Sequence, residues 1–100
     1  MKSISNYREF TRNPNLLINN VCESKKLILD YLNSFKTICA SGMWLKDVID
    51  GSIINIQVLG YSDGEYLWDT REIYHFEKYD MKLNDDFIQH VLDKVDWVFN

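Results

Sequence analysis

The sequence contains little proline, glycine or cysteine. Its 100 residues include one proline, four glycines and two cysteines. Two cysteines, neither in a Cys-x-x-Cys pair, cannot build a disulfide framework, which favours a reducing, cytoplasmic compartment. No linker rich in proline, glycine or serine divides the chain. We therefore expect one domain spanning residues 1–100, in which Cys22 and Cys39 are small core residues.

Long hydrophobic runs are also missing. Apolar stretches such as residues 27–29 are far shorter than the roughly 20 residues that a membrane-spanning helix requires. The first 20 residues carry Arg8, Glu9 and Arg12 and lack the apolar segment of a secretory signal. With 46% hydrophobic and 26% charged residues, the composition is typical of a globular protein. We expect no contact with a membrane.

Charge is distributed unevenly along the chain. Residues 1–50 carry seven Lys or Arg against five Asp or Glu, whereas residues 51–100 carry four against ten, and the net charge is −4. An acidic half repels phosphate backbones, so we expect no direct binding of nucleic acid. The same half would attract a basic protein partner. The alternative interpretation is an ordinary solvated acidic surface.

Helical spacing is found at both ends of the sequence. Asn13 and Pro14 are typical of a helix start, and apolar residues recur at helical spacing over residues 17–32. Ser24 could cap a second helix within this stretch.

The C-terminal third is predicted to hold two helices. Asp69 and Glu72 have the spacing of a capping box, for a helix that ends near Tyr79. Asn84 is the expected cap of the last helix. The apolar stripe of that helix comprises Phe87, Ile88, Val91, Leu92, Val95 and Val98.

The centre of the chain is predicted to be extended. Residues 37–40 and 52–59 are β-prone, and the second run alternates as a strand does. Residues 63–64, Asp-Gly, are a strong hairpin signal, after which residues 66–68 return as the partner strand. The sequence therefore predicts an α+β domain, with a small antiparallel sheet of about three strands covered by N-terminal and C-terminal helices.

Catalytic and metal-binding patterns are scarce. Only His75 and His90 could serve acid–base or metal chemistry, and Asp86 lies four residues before His90. Such a pair on an exposed helix face is usually a surface contact. Asp63 and Glu65, at a hairpin tip, offer no cleft for a glycosidase. We expect no metal, no cofactor and no catalytic residue, so the chain is predicted not to be an enzyme.

Aromatic residues are concentrated where the acidic residues are. Six aromatic residues lie between positions 61 and 79, interleaved with acidic ones. Trp68 and Phe76 are expected in the core. The four tyrosines could lie in the core or at the surface, where Tyr is a frequent anchor of protein interfaces. They are Tyr61, Tyr66, Tyr74 and Tyr79.

The same stretch resembles a bacterial immunity-protein pattern. Residues 62–68 (SDGEYLW), 73–79 (IYHFEKY) and 82–90 (KLNDDFIQH) carry the resemblance. In the family pattern, a Ser/Thr-Asp-Gly hairpin with an aromatic residue and a tryptophan is followed by a tyrosine-rich segment and an acidic helix start. The resemblance covers about residues 61–92 and, more loosely, residues 31–33 (YLN) before the first predicted strand. Two departures are Asn84, where the pattern has proline, and residues 75–76, which replace a tyrosine and an aliphatic residue.

The resemblance implies that this chain is an antidote. Members of the family are small cytoplasmic proteins that neutralise polymorphic toxins, including those of contact-dependent growth inhibition systems. The expected partner is a cognate toxin domain, and we expect that domain to be a basic nuclease. Two alternatives stay open, a non-catalytic adaptor or regulatory subunit and a small enzyme that uses His75 or His90. From charge and hairpin exposure, the expected partner-contact residues are Asp47, Asp50, Tyr61, Asp63, Glu65, Tyr66, Asp69 and Glu72.

Overall fold

The computed structural model describes the backbone of residues 1–99 and the side chains of residues 1–95. Its elements are, in chain order, β1 (Lys2–Ser3), α1 (Tyr7–Arg12), a 3-10 turn (Pro14–Leu16), α2 (Lys25–Leu32), β2 (Cys39–Lys46), β3 (Ile53–Ser62), β4 (Tyr66–Asp69), α3 (Thr70–Tyr79) and α4 (Asp85–Phe99). The predicted α+β class is confirmed. The side chain of Val98, expected in the apolar stripe of α4, lies outside the described residues.

The sheet has four strands rather than about three, in the order β1-β4-β3-β2. The antiparallel pairs β2–β3 and β3–β4 agree with the prediction. The additional strand, β1, is parallel to β4 and pairs Lys2 with Tyr66 and Ser3 with Leu67. The sheet is therefore mixed. A strand of two residues is too short to show alternation, so the sequence carried no signal for it.

The first helix begins earlier than expected. α1 starts at Tyr7 after Asn6, whose side-chain oxygen accepts a hydrogen bond from the N–H of Glu9 at 3.3 Å. Asn13 and Pro14, predicted to open a long helix, begin only the 3-10 turn. Proline at a first position suits a 3-10 turn as well as an α-helix, so this signal does not fix the length of the helix.

Only the second half of residues 17–32, the stretch with helical spacing, forms a helix. α2 begins at Lys25, as Ser24 indicated, but residues 17–24 are not helical and Val21 is 84% exposed. Asn19 has a φ of 58° and donates its N–H to the carbonyl of Tyr79 at 2.9 Å. Bonding to the end of α3 replaces the bonds a helix would make, so tertiary contact overrides the periodic pattern.

The core lies where the helices pack on the sheet. Trp68 and Phe76, both expected there, are 1% exposed and belong to one cluster with Phe10 and Phe87. The indole N–H of Trp68 donates to the carbonyl of Leu32 at 3.3 Å, which satisfies its polar atom inside the core. Each such buried aromatic side chain stabilises the fold by about 2 to 3 kcal/mol.

The two cysteines were expected to be core residues, but neither is fully buried. Cys22 is half-buried and Cys39 is exposed, and both are free thiols. Cys39 opens β2, a strand at the edge of the sheet, and its neighbours on that strand are exposed as well. The β-prone run that suggested a buried strand is therefore an edge strand.

A buried carboxylate fixes the connection between β2 and β3. Asp47 is fully buried, and its carboxylate accepts hydrogen bonds from the hydroxyls of Tyr74 at 2.6 Å and Tyr79 at 2.7 Å. The backbone N–H groups of Ile49 and Asp50 donate to it as well. Burial opposes ionisation, but these hydrogen bonds outweigh it and hold the pKa of Asp47 well below its usual range.

His75 holds the same connection from α3. Its Nε2 accepts the N–H of Val48 at 3.0 Å, and its Nδ1 lies 2.7 Å from the carbonyl of Arg71. These partners require a neutral ring with its proton on Nδ1. Burial, the largest influence, lowers the pKa of His75 and so favours the neutral form. The connection between β2 and β3 is therefore fastened to α3 at two points.

Replacement of Asp47 by asparagine tests this fastening. D47N keeps the size of the side chain but removes the charge and one acceptor oxygen from two buried tyrosine hydroxyls. We expect the free energy of unfolding to fall by about 2 to 3 kcal/mol in urea titrations. The matched control is D50N, three residues on and exposed, which should leave the urea midpoint nearly unchanged. Equal effects of the two substitutions would contradict a special role of Asp47.

Candidate functional site

The eight expected contact residues do not form one patch. Asp47 and Asp50 lie in the connection after β2. Four others lie in or beside the β3–β4 hairpin, namely Tyr61, Asp63, Glu65 and Tyr66. Asp69 and Glu72 lie at the start of α3. The hairpin turn and the start of α3 are at opposite ends of β4, so the candidates divide into separate sites.

The hairpin turn is held by a buried carboxylate. The Asp63 side chain, 2% exposed, accepts the hydroxyl of Tyr31 at 2.6 Å and lies 2.8 Å from Nε2 of His90. It also accepts the N–H groups of Glu65 and Tyr66, which closes the turn. Tyr31 is on α2 and His90 on α4, so one carboxylate joins two helices to the hairpin. We call Tyr31, Asp63 and His90 the turn clasp.

The turn clasp keeps Asp63 ionised. Burial opposes ionisation, but the hydrogen bonds from Tyr31, from the backbone and from His90 lower the pKa of Asp63 to about 2. Burial and the bond to Asp63 raise the pKa of Tyr31, so its hydroxyl stays a donor. Because the ionised carboxylate of Asp63 can only accept hydrogen bonds, Nε2 of His90 must carry the proton that it donates to Asp63. Asp86, which the sequence suggested as a neighbour of His90, instead accepts the Tyr66 hydroxyl at 3.3 Å.

Three acidic side chains line the surface beside the turn clasp. Glu65 is 58% exposed, and its Oε2 lies 3.7 Å from Nδ1 of His90. Asp86 and Asp93 are exposed on α4, at positions separated by two helical turns on one face. We call Glu65, Asp86 and Asp93 the acidic ridge. A basic group, Lys2, also lies on this side of the molecule, with its Nζ 5.6 Å from the centre of the Tyr66 ring.

Four expected contact residues have buried side chains, so their expected exposure was wrong. Asp47 is fully buried, Tyr66 is 3% exposed, Glu72 is 7% exposed, and the side chain of Asp63 is 2% exposed. The Tyr66 ring packs 5.0 Å from Phe87 and 4.7 Å from His90, measured between ring centres. Composition cannot separate an acidic or tyrosine side chain that folds the chain from one that faces solvent.

The other candidates differ in exposure. Asp50 and Glu65 are exposed, whereas Tyr61 is half-buried and packs against the core. Asp69 is paired with Arg71 at 2.7 Å. An ion pair within two residues leaves Asp69 little free charge to offer a partner. Of the eight candidates, Asp50 and Glu65 therefore present the most accessible charge.

The start of α3 carries the predicted capping box. The Asp69 side chain accepts the N–H of Arg71 at 2.8 Å, and Glu72 accepts the N–H of Asp69 at 3.3 Å. The second oxygen of Glu72 accepts a short hydrogen bond from the Ser5 hydroxyl, beyond the end of β1. Burial is the largest influence on Glu72 and raises its pKa to about 7, against the opposing effect of Ser5. This carboxyl therefore titrates near neutral pH.

The residues that organise these sites were not all visible in the sequence. Tyr31 and His90 lie 32 and 27 residues from Asp63, and Ser5 lies 67 residues from Glu72. No local spacing reports such pairs. A tyrosine on an apolar helix stripe, as Tyr31 is, was the one available signal, because a buried hydroxyl needs a partner.

Two classes of site are not found in the described part of the chain. Among the side chains of residues 1–95, no three His, Cys, Asp or Glu groups converge as metal ligands would. None of the helices within residues 1–99 is both long enough and apolar enough to span a membrane.

The chain was compared with protein-family models, with curated proteins and with solved structures. None of the three comparisons gives a match. The resemblance to immunity proteins stays a prediction. The function must be argued from the surfaces described above.

The buried carboxyl of Glu72 predicts a pH dependence of stability. The folded protein keeps this proton up to about pH 7, whereas the ordinary pKa of the group is 4.5. Raising the pH through that interval therefore destabilises the fold, by about 2 kcal/mol from this group. E72Q cannot titrate and can still accept the N–H of Asp69. Urea titrations at pH 5 and pH 8 should show E72Q gaining about 2 kcal/mol relative to the wild type at the higher pH.

The control for that comparison is E77Q. Glu77 is an exposed glutamate on the same helix. Its substitution should leave the difference in stability between pH 5 and pH 8 as it is in the wild type. An E72Q variant with the same pH dependence as the wild type would show that Glu72 titrates normally.

Proposed function

We propose that this chain is an immunity protein, which binds and neutralises a cognate toxin domain in the cytoplasm by protein–protein interaction. The toxin class that suits it best is a basic nuclease. The observation that carries the proposal is the acidic ridge, a group of exposed carboxylates on the β3–β4 turn and on α4, two elements that the turn clasp joins. The resemblance of residues 61–92 to the immunity-protein pattern supports the same function.

The acidic ridge has the chemistry of a competitor for a phosphate-binding surface. A nuclease attracts a polyanion, so its substrate groove is positively charged. Glu65, Asp86 and Asp93 present three negative groups along one side of the chain, and charge of this kind accelerates association with a basic partner. A protein bound there would exclude nucleic acid by occupying the groove or its entrance.

The turn clasp supplies the rigidity that such a surface needs. Asp63 accepts bonds from two helices and from the turn backbone, so the residues that carry Glu65 are ordered before a partner arrives. Preorganisation lowers the conformational entropy lost on binding and so strengthens the complex. The proposed contact surface therefore consists of the acidic ridge, and Asp63 and Tyr66 support it from beneath.

Protection of cells tests the proposal directly. The product of the adjacent upstream reading frame is expressed with and without this chain, and surviving cells are counted. We expect rescue, and a stable complex of the two proteins on gel filtration. If the neighbour is harmless, or kills equally in both cases, the immunity function is wrong and the adaptor function becomes the better account.

Charge reversal maps the contact. E65K combined with D86K should lower the association rate with the toxin by about tenfold or more at low salt, with the difference shrinking as salt rises. Stopped-flow mixing measures that rate. The matched control is E77K with D30K, which reverses two exposed acids on α2 and α3 and should change the rate little. Equal effects of the two double variants would show that net charge, and not the acidic ridge, governs association.

The pairing of Asp63 with His90 supports one other function, that of a small enzyme. A carboxylate that orients an imidazole is a common acid–base arrangement. H90Q separates the two functions, because glutamine can still donate a hydrogen bond to Asp63 but cannot transfer protons. An immunity protein should keep full protection of cells in H90Q. Loss of protection by a stably folded H90Q would favour the enzyme. His75 is unsuited to this test, because it is fully buried and holds the β2–β3 connection.

A further inference from the structure

The outer part of the β2–β3 hairpin leaves one side of the sheet uncovered. The register places Trp44 opposite Gln57 and Lys46 opposite Ile53. Alternation puts Gln57 and Ile53 on the side of β3 that Tyr61 shares. Tyr61 packs against the core, but further along the strands Trp44 is 59% exposed and Ile53 is 65% exposed. We call Trp44, Lys46, Ile53 and Gln57 the ribbon face.

On the opposite side of the same hairpin, two residues are buried. Leu45, which follows Trp44, is fully buried, and Val58, which follows Gln57, is 3% exposed. Register shifts on both sides of Trp44 mark a bulge, a feature that re-aims side chains at sheet edges. The hairpin therefore buries Leu45 and Val58 on one side and leaves a tryptophan exposed on the other.

The ribbon face adjoins an open sheet edge. β2 is the last strand in the sheet order, and all of its residues except Leu45 are exposed. Its outer row of N–H and carbonyl groups is free to pair with another strand. Met43 and Ile56, on the other side of the sheet by alternation, are also about half exposed, so the edge of the sheet is apolar on both sides. Exposed apolar residues clustered beside an open edge are a common feature of interaction surfaces.

Charge decides which partner suits this surface. Lys46 is the only charged residue of the ribbon face, so this surface does not attract a basic partner. The chain has a net charge of −4, which makes two copies repel each other at most orientations. Contact between copies costs least where acidic groups are absent. The ribbon face is such a place.

A two-fold arrangement of two β2 strands adds a favourable charge pairing. In an antiparallel alignment over residues 39–46, the start of one strand lies beside the end of the other. Lys36, just before β2, then reaches the end of the partner strand, beyond which the exposed Asp50 follows. The symmetry repeats this pairing, and it keeps the two copies of Lys46 at opposite ends.

We propose that the partner of the ribbon face is a second copy of this chain, joined through an antiparallel β2–β2 contact about a two-fold axis. The two sheets become one eight-stranded sheet, with the Trp44 side chains close to the axis and the two acidic ridges remote from it. Each ridge stays accessible, so two partners could bind one dimer. The inference does not rest on the proposed function.

The mass in solution tests the proposal. Sedimentation equilibrium over a wide concentration range should give twice the 11.9 kDa of the chain at the upper end. W44E should weaken dimerisation by about 30-fold or more, because the Trp44 side chains meet close to the axis and a charge there opposes the contact. I53E, one strand away on β3, should weaken it less. The matched control is V21E, the same kind of substitution at an apolar residue that is 84% exposed and outside the ribbon face. It should leave the dimer unchanged, and circular dichroism should show all three variants folded.

Three results would overturn the inference. The first is a wild-type chain that stays monomeric at every concentration. The second is a wild-type dimer that persists unchanged in both W44E and I53E, since the contact would then lie elsewhere. The third is a monomeric chain whose binding to its protein partner is lost in W44E and kept in V21E. In that case the partner, and not a second copy, covers the ribbon face.

Discussion

The organisation of the molecule depends on the hydrogen bonding of one buried carboxylate, that of Asp63. It is the point at which α2, α4 and the β3–β4 hairpin meet, through Tyr31, His90 and the turn backbone. A charge with so little exposure is tolerated only because donors surround it. The same bonds that stabilise the charge therefore specify how the two helices pack on the sheet. Asp47 has the equivalent role at the connection between β2 and β3, where its carboxylate accepts hydrogen bonds from Tyr74 and Tyr79 of α3.

Local signals predicted the parts of the fold that local chemistry determines. The Asp-Gly turn and the capping box of Asp69 and Glu72 depend on residues within a few positions of one another. α2 begins after Ser24 as predicted, although Ser24 makes no side-chain capping hydrogen bond. The parts that were mistaken depend on distant contacts. Residues 17–24 have helical spacing but bond to the end of α3, and β1 exists only because β4 offers it a partner.

The site was harder to predict than the fold for the same reason. Charge and aromatic content pointed to the β3–β4 hairpin, but they could not show that Asp63 and Tyr66 are buried while Glu65 is exposed. Exposure is decided by the helices that pack across the turn. The sequence related Asp86 only to His90 and gave Asp93 no role, and only the fold places the two on the same side as Glu65. A surface assembled from two elements is not visible in either element alone.

The alternation of roles within the hairpin turn has a consequence for how this protein can change over evolutionary time. Asp63 is almost fully enclosed, whereas Glu65, two residues further on, is largely in solvent. Selection for a folded chain therefore acts strongly on the first position and weakly on the second. The residues of the acidic ridge can be substituted one at a time while the turn clasp keeps its shape. A lineage built on this scaffold can acquire new surface chemistry by single substitutions that leave stability almost unaffected.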